Sequence, residues 1–307
     1  MSEGTPTHTT SHLPWIARAE RREIHAPDGV PISYERVGQG PNTLVLANGL
    51  GGRLYAWAPL IEALAPRYRI LTWDYRGLFD SGMPARMHHL GIPFHARDLA
   101  AMLDAEGVSR ATLIGWSMGV QVNLEFAVQY PERVDKLVLI NGTHGHAMET
   151  ALQPLFRAPW LHRYLHELLD FVARHPGLHG PLGQLARSRF TIGLIGGGMS
   201  ALRRDPRIRE TFAQYQQDVF GKSFGAFLRL FQELDAHSVY HHLRDIPHET
   251  LLVSGALDPL TPAYQSREMK RKMPSARHAS FKLGTHFVLL EYPEEVVRLV
   301  REFLEEC

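Results

Sequence analysis

The feature that most constrains the fold of this chain is a tight turn between an apolar run and a helical pattern. The apolar run at 111–114 leads into Gly115-Trp116-Ser117-Met118-Gly119, and apolar residues then recur at helical spacing over 120–128. This order of strand, Gly-x-Ser-x-Gly and helix is typical of a nucleophile elbow, where only glycine fits two residues to either side of a strained serine. The first N–H groups of such a helix face negative charge that develops beside the serine. The alternative is an ordinary Gly-rich turn, and the rest of the chain decides between the two.

Composition sets the class of protein. At 307 residues the chain suits one large domain, or one domain with an insertion. Its net charge of +1 gives no footprint for nucleic acid, and its single cysteine, Cys307, rules out disulfides within the chain and cysteine-based zinc sites. The segment 1–12 lacks the apolar region of a secretory signal, and no apolar run has membrane-spanning length. We therefore expect a cytoplasmic, soluble protein, whose oligomeric state the sequence leaves open.

Outside one central segment, strand and helix patterns alternate along the chain. Two short alternating runs around Asp28-Gly29 predict a β-hairpin. Further strands are predicted at 43–47, 69–73, 111–114, 134–140, 250–254 and 279–283. Helices are predicted between and after them, at 55–65, 94–106, 120–128, 262–272 and 293–305. This alternation predicts an α/β fold with a doubly wound, mostly parallel sheet and right-handed crossovers.

The alternation stops between residues 145 and 247, where the patterns are helical. Two apolar stripes share helical spacing: Leu155, Trp160, Leu161, Tyr164, Leu165, Leu168, Leu169 and Val172, then Phe212, Tyr215, Val219, Phe220, Phe224, Phe227, Leu228 and Phe231. A joint is predicted between them, at Ile195–Met199. We predict a flexible arm at 1–15, an α/β core at 16–144 and 248–307, and a helical cap inserted at 145–247. The alternative is a second helical core without a role in binding.

Three separated residues are predicted to meet at one edge of the sheet. Ser117, Asp258 and His286 each follow the carboxyl end of a predicted parallel strand, and those ends share one edge. A serine hydroxyl becomes a useful nucleophile when an imidazole takes its proton, and an aspartate orients that imidazole. For Asp258 the alternative is a turn former in Leu-Asp-Pro. His286 is chosen among 18 histidines because it alone follows the last strand.

The same edge should supply backbone donors for an oxyanion. We predict the N–H groups of Met118, which follows the serine, and of Leu50, in the glycine-rich loop after the third strand. Four residues of the Gly-x-Ser-x-Gly turn and of neighbouring loops are predicted to contact substrate: Asn48, Gly49, Trp116 and His144.

The sequence predicts neither a metal site nor a cofactor. The pairs at 88–89 and 241–242 are adjacent histidines, and no helical His-x-x-x-His has an acidic partner in a suitable place.

Four arginines could meet anionic lipid headgroups, although such a cluster is more often a solvated face: Arg203, Arg204, Arg207 and Arg209.

Four motifs together resemble those of the α/β-hydrolase fold superfamily. They are Gly115-Trp116-Ser117-Met118-Gly119, Asp74-x-Arg76-Gly77-x-x-x-Ser81, Gly255-x-x-Asp258-Pro259-x-x-Pro262 and Gly284-x-His286. The resemblance covers nearly all of the chain outside the arm and the cap. It implies an eight-stranded, mostly parallel sheet, a helical cap over the site, a Ser-Asp-His triad, and a structural role for Asp74 and Arg76.

The chain departs from the superfamily at one position, because the oxyanion loop usually begins His-Gly and here begins Asn48-Gly49. Asparagine can still hold the loop through hydrogen bonds. The serine at the elbow argues against the dehalogenase and epoxide-hydrolase branches, which use aspartate, and no His-Gly-Gly-Pro-Gly segment supports a proline iminopeptidase.

These features favour a serine hydrolase that cleaves a small, apolar carboxylic ester through an acyl-enzyme. An acyltransferase with the same nucleophile is the first alternative, since water and an acceptor compete for one acyl-enzyme. A binding protein that keeps the fold without catalysis is the second, and the complete set of Ser117, Asp258 and His286 argues against it.

Overall fold

The predicted strands pair into one eight-stranded sheet in the computed structural model, which describes residues 14–147, 151, 159–186, 188, 206–221 and 224–306. The strands are β1 (Glu20–His25), β2 (Pro31–Val37), β3 (Asn42–Ala47), β4 (Tyr68–Trp73), β5 (Ala111–Trp116), β6 (Val134–Ile140), β7 (Thr250–Gly255) and β8 (Ala276–Phe281). Their order is β1-β2-β4-β3-β5-β6-β7-β8. Strand β2 is antiparallel to β1 and β4, and the other pairs are parallel. The predicted α/β fold and the hairpin around Asp28-Gly29 are confirmed.

Helices cover both faces of the sheet. In the described part of the chain the α-helices are α1 (Ala58–Leu64), α2 (Ile92–Ala105), α3 (Met118–Gln129), α4 (Pro159–Arg174), α5 (His179–Ala186), α6 (Pro206–Val219), α7 (Phe224–Ala236), α8 (Ala263–Lys272), α9 (Val288–Glu291) and α10 (Pro293–Glu305). One apolar cluster joins the sheet to α2, α3, α7 and α8, and a second joins it to α1, α9 and α10. Because it lies between these clusters, β5 is buried along its whole length, which explains its apolar sequence.

The last helix shows how the sequence determines an element. Helix α10 begins at Pro293, which needs no N–H partner in the first turn, and Glu294 and Glu295 lie at its positive end. Its inner face buries Val296, Val300 and Phe303. Each such side chain contributes about 2 kcal/mol relative to an exposed one. The predicted bounds of this helix coincide with the observed ones.

Two predicted elements differ from those observed. The helix predicted at 55–65 is a 3₁₀ turn, Leu54–Trp57, followed by α1, because Pro59 suits the first turn of a new α-helix. The last strand begins at Ala276, three residues before the predicted start at 279. It lies at the edge of the sheet and is only partly buried, so polar residues such as Arg277 and His278 obscure its pattern.

Helices α4 to α7 lie between β6 and β7, and we call this segment the helical insertion. Its described residues contain no strand of the sheet. Leu155, the joint at Ile195–Met199, Arg203 and Arg204 lie outside the described residues, and so do the side chains of Trp160, Leu161, Leu165 and Arg207. The division at 145 and 247 stays a prediction. Nowhere in the described ranges is a helix long and apolar enough to cross a membrane.

Candidate active site

The serine of the elbow lies between β5 and α3 in a strained conformation. Ser117 has φ 56° and ψ −115°, and its N–H donates to the carbonyl of Ile140 at 3.0 Å. A residue other than glycine in such a region costs about 1–3 kcal/mol and persists where the surrounding structure imposes it. Here the fully buried β5 and the helix after it impose that turn.

The two glycines of the elbow are required by close backbone contacts. A Cβ atom on Gly115 would lie 2.5 Å from the carbonyl oxygen of Gly119, and one on Gly119 would lie 2.0 Å from that of Ala47. No other residue fits these positions without moving β3 or α3. The spacing read from the sequence therefore has a steric cause.

The structure brings the three predicted catalytic side chains together. Ser117 Oγ lies 2.9 Å from His286 Nε2, and His286 Nδ1 lies 2.9 Å from Asp258 Oδ2. With Nδ1–H donating to the carboxylate, Nε2 is the free base that can accept the serine proton. The imidazole and the carboxylate are both buried. This arrangement suits nucleophilic attack by the serine oxygen.

Hydrogen bonds fix the orientation of Asp258. Its Oδ1 accepts the N–H groups of Leu260 at 2.8 Å and Thr261 at 2.9 Å. Its Oδ2 accepts Thr261 Oγ1 at 2.6 Å and Asn141 Nδ2 at 2.7 Å, besides His286. Burial alone would raise the pKa of this carboxyl, but the charge and hydrogen bond of His286 and the bonds from Thr261 hold it below its usual value.

Asn141 and Thr261 were missed by the sequence analysis. A weak signal existed for each: Asn141 directly follows β6, and Thr261 lies three residues after Asp258, as in an Asx-type turn. Neither position identifies its partner without the tertiary structure.

The predicted oxyanion donors lie at the ends of neighbouring parallel strands. Met118 is the first residue of α3, and Leu50 belongs to the loop after β3, which we call the oxyanion loop (residues 48–52). Within that loop the Gly52 N–H donates to the Gly49 carbonyl at 2.8 Å. Among the described residues, no acceptor pairs with the N–H of Leu50 or Met118.

Asn48 holds the start of the oxyanion loop against the core. Its Nδ2 donates to the Trp73 carbonyl at 2.8 Å and to Thr72 Oγ1 at 3.2 Å, and its Oδ1 accepts Trp57 Nε1 at 2.7 Å. Its own carbonyl accepts the Tyr75 hydroxyl at 2.6 Å. These bonds commit the buried amide to the core, so the structure places Asn48 behind the loop, where it supports the backbone.

Trp116 and Gly49 link the oxyanion loop to the backbone of His286. Trp116 Nε1 donates to the His286 carbonyl at 3.1 Å. The face of the indole lies under the loop, where a Cβ atom on Gly49 would be 2.8 Å from Trp116 Cε3. Both residues are buried, and they join the loop to the segment that carries the His286 imidazole.

The structure shows no hydrogen bond or ring contact between His144 and Ser117, His286 or Asp258. Its ring lies 4.9 Å from that of Tyr240, and its Nε2 lies 3.6 Å from Glu268 Oε2 on α8. Burial lowers the pKa of His144. Its contact with substrate stays a prediction.

The acidic and basic residues of the second motif brace neighbouring loops. Arg76 Nε donates to Asp98 at 2.8 Å and its Nη1 to Asp28 at 2.9 Å. An Asp74 carboxylate oxygen lies 3.2 Å from Nη2 of Arg53, and Arg53 is the residue that directly follows the oxyanion loop. Burial raises the pKa of Asp74 to about 7, because the nearby Arg53 offsets the lost solvation only in part.

Across the described ranges, no three side chains of His, Cys, Asp or Glu lie together as metal ligands would. The groups that converge at the sheet edge are a hydroxyl, an imidazole, a carboxylate and backbone N–H donors. These are the parts that nucleophilic acyl transfer requires.

Comparisons with known proteins identify the family of the chain. Residues 42–293 match the model of the alpha/beta hydrolase fold family. The chain is 29% identical over 282 residues to a 2-hydroxy-6-oxo-2,4-heptadienoate hydrolase of Pseudomonas putida, covering 90% of this chain and 93% of that protein. It is 30% identical over 263 residues to a poly(3-hydroxyalkanoate) depolymerase of Ectopseudomonas oleovorans, with coverage of 86% and 84%.

A solved structure shows the same fold. The enol-lactonase of Burkholderia xenovorans LB400 superposes with a TM-score of 0.74 at 22% identity, covering 93% of this chain and 100% of that one. The chain therefore belongs to the α/β-hydrolase fold family and is a hydrolase of that family.

Proposed function

We propose that this hydrolase cleaves carboxylic esters through a serine acyl-enzyme. The observation that carries the proposal is the hydrogen-bonded series from Ser117 Oγ through His286 to Asp258, with both links at 2.9 Å. This series supplies a nucleophile, a base for its proton, and a carboxylate that orients the base.

The reaction then has two half-reactions. Ser117 Oγ attacks the acyl carbon while His286 Nε2 takes the hydroxyl proton, and the carbonyl oxygen becomes an oxyanion between the N–H groups of Leu50 and Met118. His286 returns that proton to the departing alcohol oxygen, which leaves an acyl group on Ser117. A water molecule attacks the acyl carbon in the same way, with His286 as base, and releases the acid and the free serine.

We also propose that the segment 145–247 acts as a cap that selects small, apolar acyl groups. Aromatic side chains of α6 support this role: Tyr215 lies 5.7 Å from Trp116, and Phe212 lies 5.1 Å from Phe287, measured between ring centroids. Trp116 and Phe287 are the sequence neighbours of Ser117 and His286. An apolar wall beside the reacting atoms favours apolar substrates.

The test is an acyl-chain series of p-nitrophenyl esters with purified protein, and Ser117→Ala as the matched control. We expect kcat/KM to peak at one chain length, because pocket size governs the profile, and the variant to be inactive. Mass spectrometry of products with an added alcohol separates hydrolysis from acyl transfer. The compound in the name of the Pseudomonas putida relative, 2-hydroxy-6-oxo-2,4-heptadienoate, is tested beside the esters as a further substrate. No turnover of any ester by the wild-type protein would overturn the proposal.

A further inference from the structure

Helix α6 of the helical insertion contacts the oxyanion loop directly. The Tyr215 hydroxyl donates a hydrogen bond to the carbonyl oxygen of Leu50 at 2.9 Å. Leu50 is the residue whose N–H is assigned to the oxyanion. We propose that Tyr215 is a positioning residue through which the helical insertion sets the geometry of the oxyanion hole. This inference rests on the proposed function, because the hole is defined by that reaction.

The bond acts on the backbone that carries the donor. The N–H of Leu50 belongs to the peptide before this residue, and the carbonyl belongs to the peptide after it. Holding the carbonyl in place restricts ψ of Leu50 and the path of the turn, and therefore the direction of the N–H. A small error in that direction matters, because an oxyanion donor works only when it is aimed at the developing charge.

Tyr215 supplies a hydrogen bond to the part of the loop that the core holds by packing alone, since the Leu50 side chain lies in an apolar core cluster. The core holds Asn48 through its side chain and its carbonyl, and Gly52 bonds back to Gly49 within the loop. For the carbonyl of Leu50, the described residues supply one hydrogen-bond donor, the Tyr215 hydroxyl. The middle of the loop is thus hydrogen-bonded to the insertion.

The hydroxyl of Tyr215 is itself fixed by its surroundings. Its ring lies 5.7 Å from that of Trp116 and 5.9 Å from that of Phe287, so packing restricts the side chain before any substrate binds. Burial raises the pKa of Tyr215, which keeps the hydroxyl protonated as a donor.

Two more contacts hold α6 against the same stretch of chain. A Cβ atom on Gly51, which has φ +76°, would lie 2.4 Å from Val219 Cγ2. The Tyr55 hydroxyl donates to Asp218 Oδ2 at 2.9 Å. Residues three and four apart share one face of a helix, so one face of α6 covers the loop and the turn that follows it.

The test compares two tyrosine-to-phenylalanine variants of the full chain on a p-nitrophenyl ester that the wild type turns over. Tyr215→Phe keeps the ring and removes the bond to the Leu50 carbonyl, and we expect kcat to fall about tenfold with KM unchanged within about twofold. Tyr55→Phe is the matched control, since it removes one hydroxyl that bonds the same helix but not the loop carbonyl. We expect its kcat and KM to stay within about twofold of the wild type.

A trifluoromethyl ketone inhibitor provides a second measurement, since its adduct with serine places an oxyanion in the hole. Tyr215→Phe should weaken this inhibitor by the same factor as kcat, and Tyr55→Phe should not. Equal losses in both variants would show that α6 acts only through general packing and would overturn the proposal, as would an unchanged kcat in Tyr215→Phe.

Amide hydrogen exchange separates this inference from the proposed ester hydrolysis. We expect peptides that cover residues 48–53 to exchange faster in Tyr215→Phe than in Tyr55→Phe, with equal thermal midpoints for the two variants. If the wild type cleaves no ester, the proposed function fails, and the exchange rates still decide whether Tyr215 holds the loop. Identical exchange in the three proteins would contradict that role.

Discussion

The candidate site has two halves that are held in different ways. The acid–base half, Ser117, His286 and Asp258, is held at strand ends by hydrogen bonds within the α/β core. The oxyanion half, residues 48–52 with Met118, is held by the core on one side and by the helical insertion on the other. In the proposed mechanism, the groups that transfer the proton are therefore held by the sheet, whereas the groups that stabilise the oxyanion also contact a segment outside the sheet.

The two halves also differ in the charge state of a buried carboxyl. In the acid–base half, hydrogen bonds and the imidazole outweigh burial and keep the pKa of Asp258 below its usual value. Beside the oxyanion loop, burial outweighs Arg53 and raises the pKa of Asp74 to about 7. The Asp258 carboxyl is therefore ionised at neutral pH, whereas the Asp74 carboxyl titrates near neutral pH. The two carboxyls should consequently make the stability of the protein depend on pH in different ways.

The largest predicted effect belongs to the acid–base half. Ser117→Ala should lower kcat/KM by about 10⁴-fold or more, because it removes the nucleophile and leaves only binding and the oxyanion donors. The measurement is ester hydrolysis under saturating and subsaturating substrate. Residual activity within tenfold of the wild type would mean that another group attacks the substrate.

Asp258→Asn should reduce kcat by about 10³–10⁴-fold, because an amide no longer holds the imidazole in the tautomer that accepts the serine proton. Steady-state kinetics with circular dichroism as a folding control provides the measurement. A loss below about tenfold would contradict the tautomer role.

Asn48→Ala tests the core side of the oxyanion half. It leaves Trp57 Nε1 and the Trp73 carbonyl without their partner, so the free energy of unfolding should fall by about 2–3 kcal/mol. We expect kcat to fall by about 10- to 100-fold through the displaced loop. Urea unfolding and ester kinetics measure the two effects. An unaltered kcat would show that Asn48 does not position the oxyanion hole.

The opposite pKa shifts predict opposite pH slopes of stability. For Asp74 the folded pKa of about 7 exceeds the ordinary value of 3.8, so its favourable contribution is complete below about pH 4 and is lost as the pH rises through 7. The stability of the wild type relative to Asp74→Asn should therefore decline from pH 4.5 to 7.5, by a few kcal/mol at most.

For Asp258 the shift is downward, so its contribution is present above about pH 4 and is lost in more acidic solution. Urea unfolding from about pH 3 to pH 7.5 checks both slopes, and a flat difference for Asp74→Asn would contradict the first.

The smallest effect concerns backbone strain. Ser117→Gly removes the cost of φ 56° at a residue with a Cβ atom and should raise the free energy of unfolding by about 1 kcal/mol, although activity is lost. Thermal unfolding of this variant against Ser117→Ala measures the strain directly, since alanine keeps the Cβ atom.

The sequence could predict the acid–base half because strand ends and short motifs are local signals. The run before Gly115, the turn after β7 and His286 after the last strand each placed a side chain at one edge of the sheet. Asn141 and Tyr215 could not be found in this way. Their partners, Asp258 and Leu50, lie 117 and 165 residues away, and only tertiary packing brings them together. The prediction that Asn48 contacts substrate followed its position in the loop and stays a prediction. The bonds of its amide to Trp57 and Trp73 are a feature that only the tertiary structure reveals.

The most direct test of the central claim is covalent labelling with a fluorophosphonate. The reagent phosphonylates a serine only when a neighbouring base activates it, so the label should lie on the peptide that contains Ser117 and reach one per chain. Ser117→Ala should take up no label, and Asp258→Asn should react far more slowly. A label on another residue, or equal labelling of the wild type and Ser117→Ala, would contradict the assignment of Ser117 as the nucleophile.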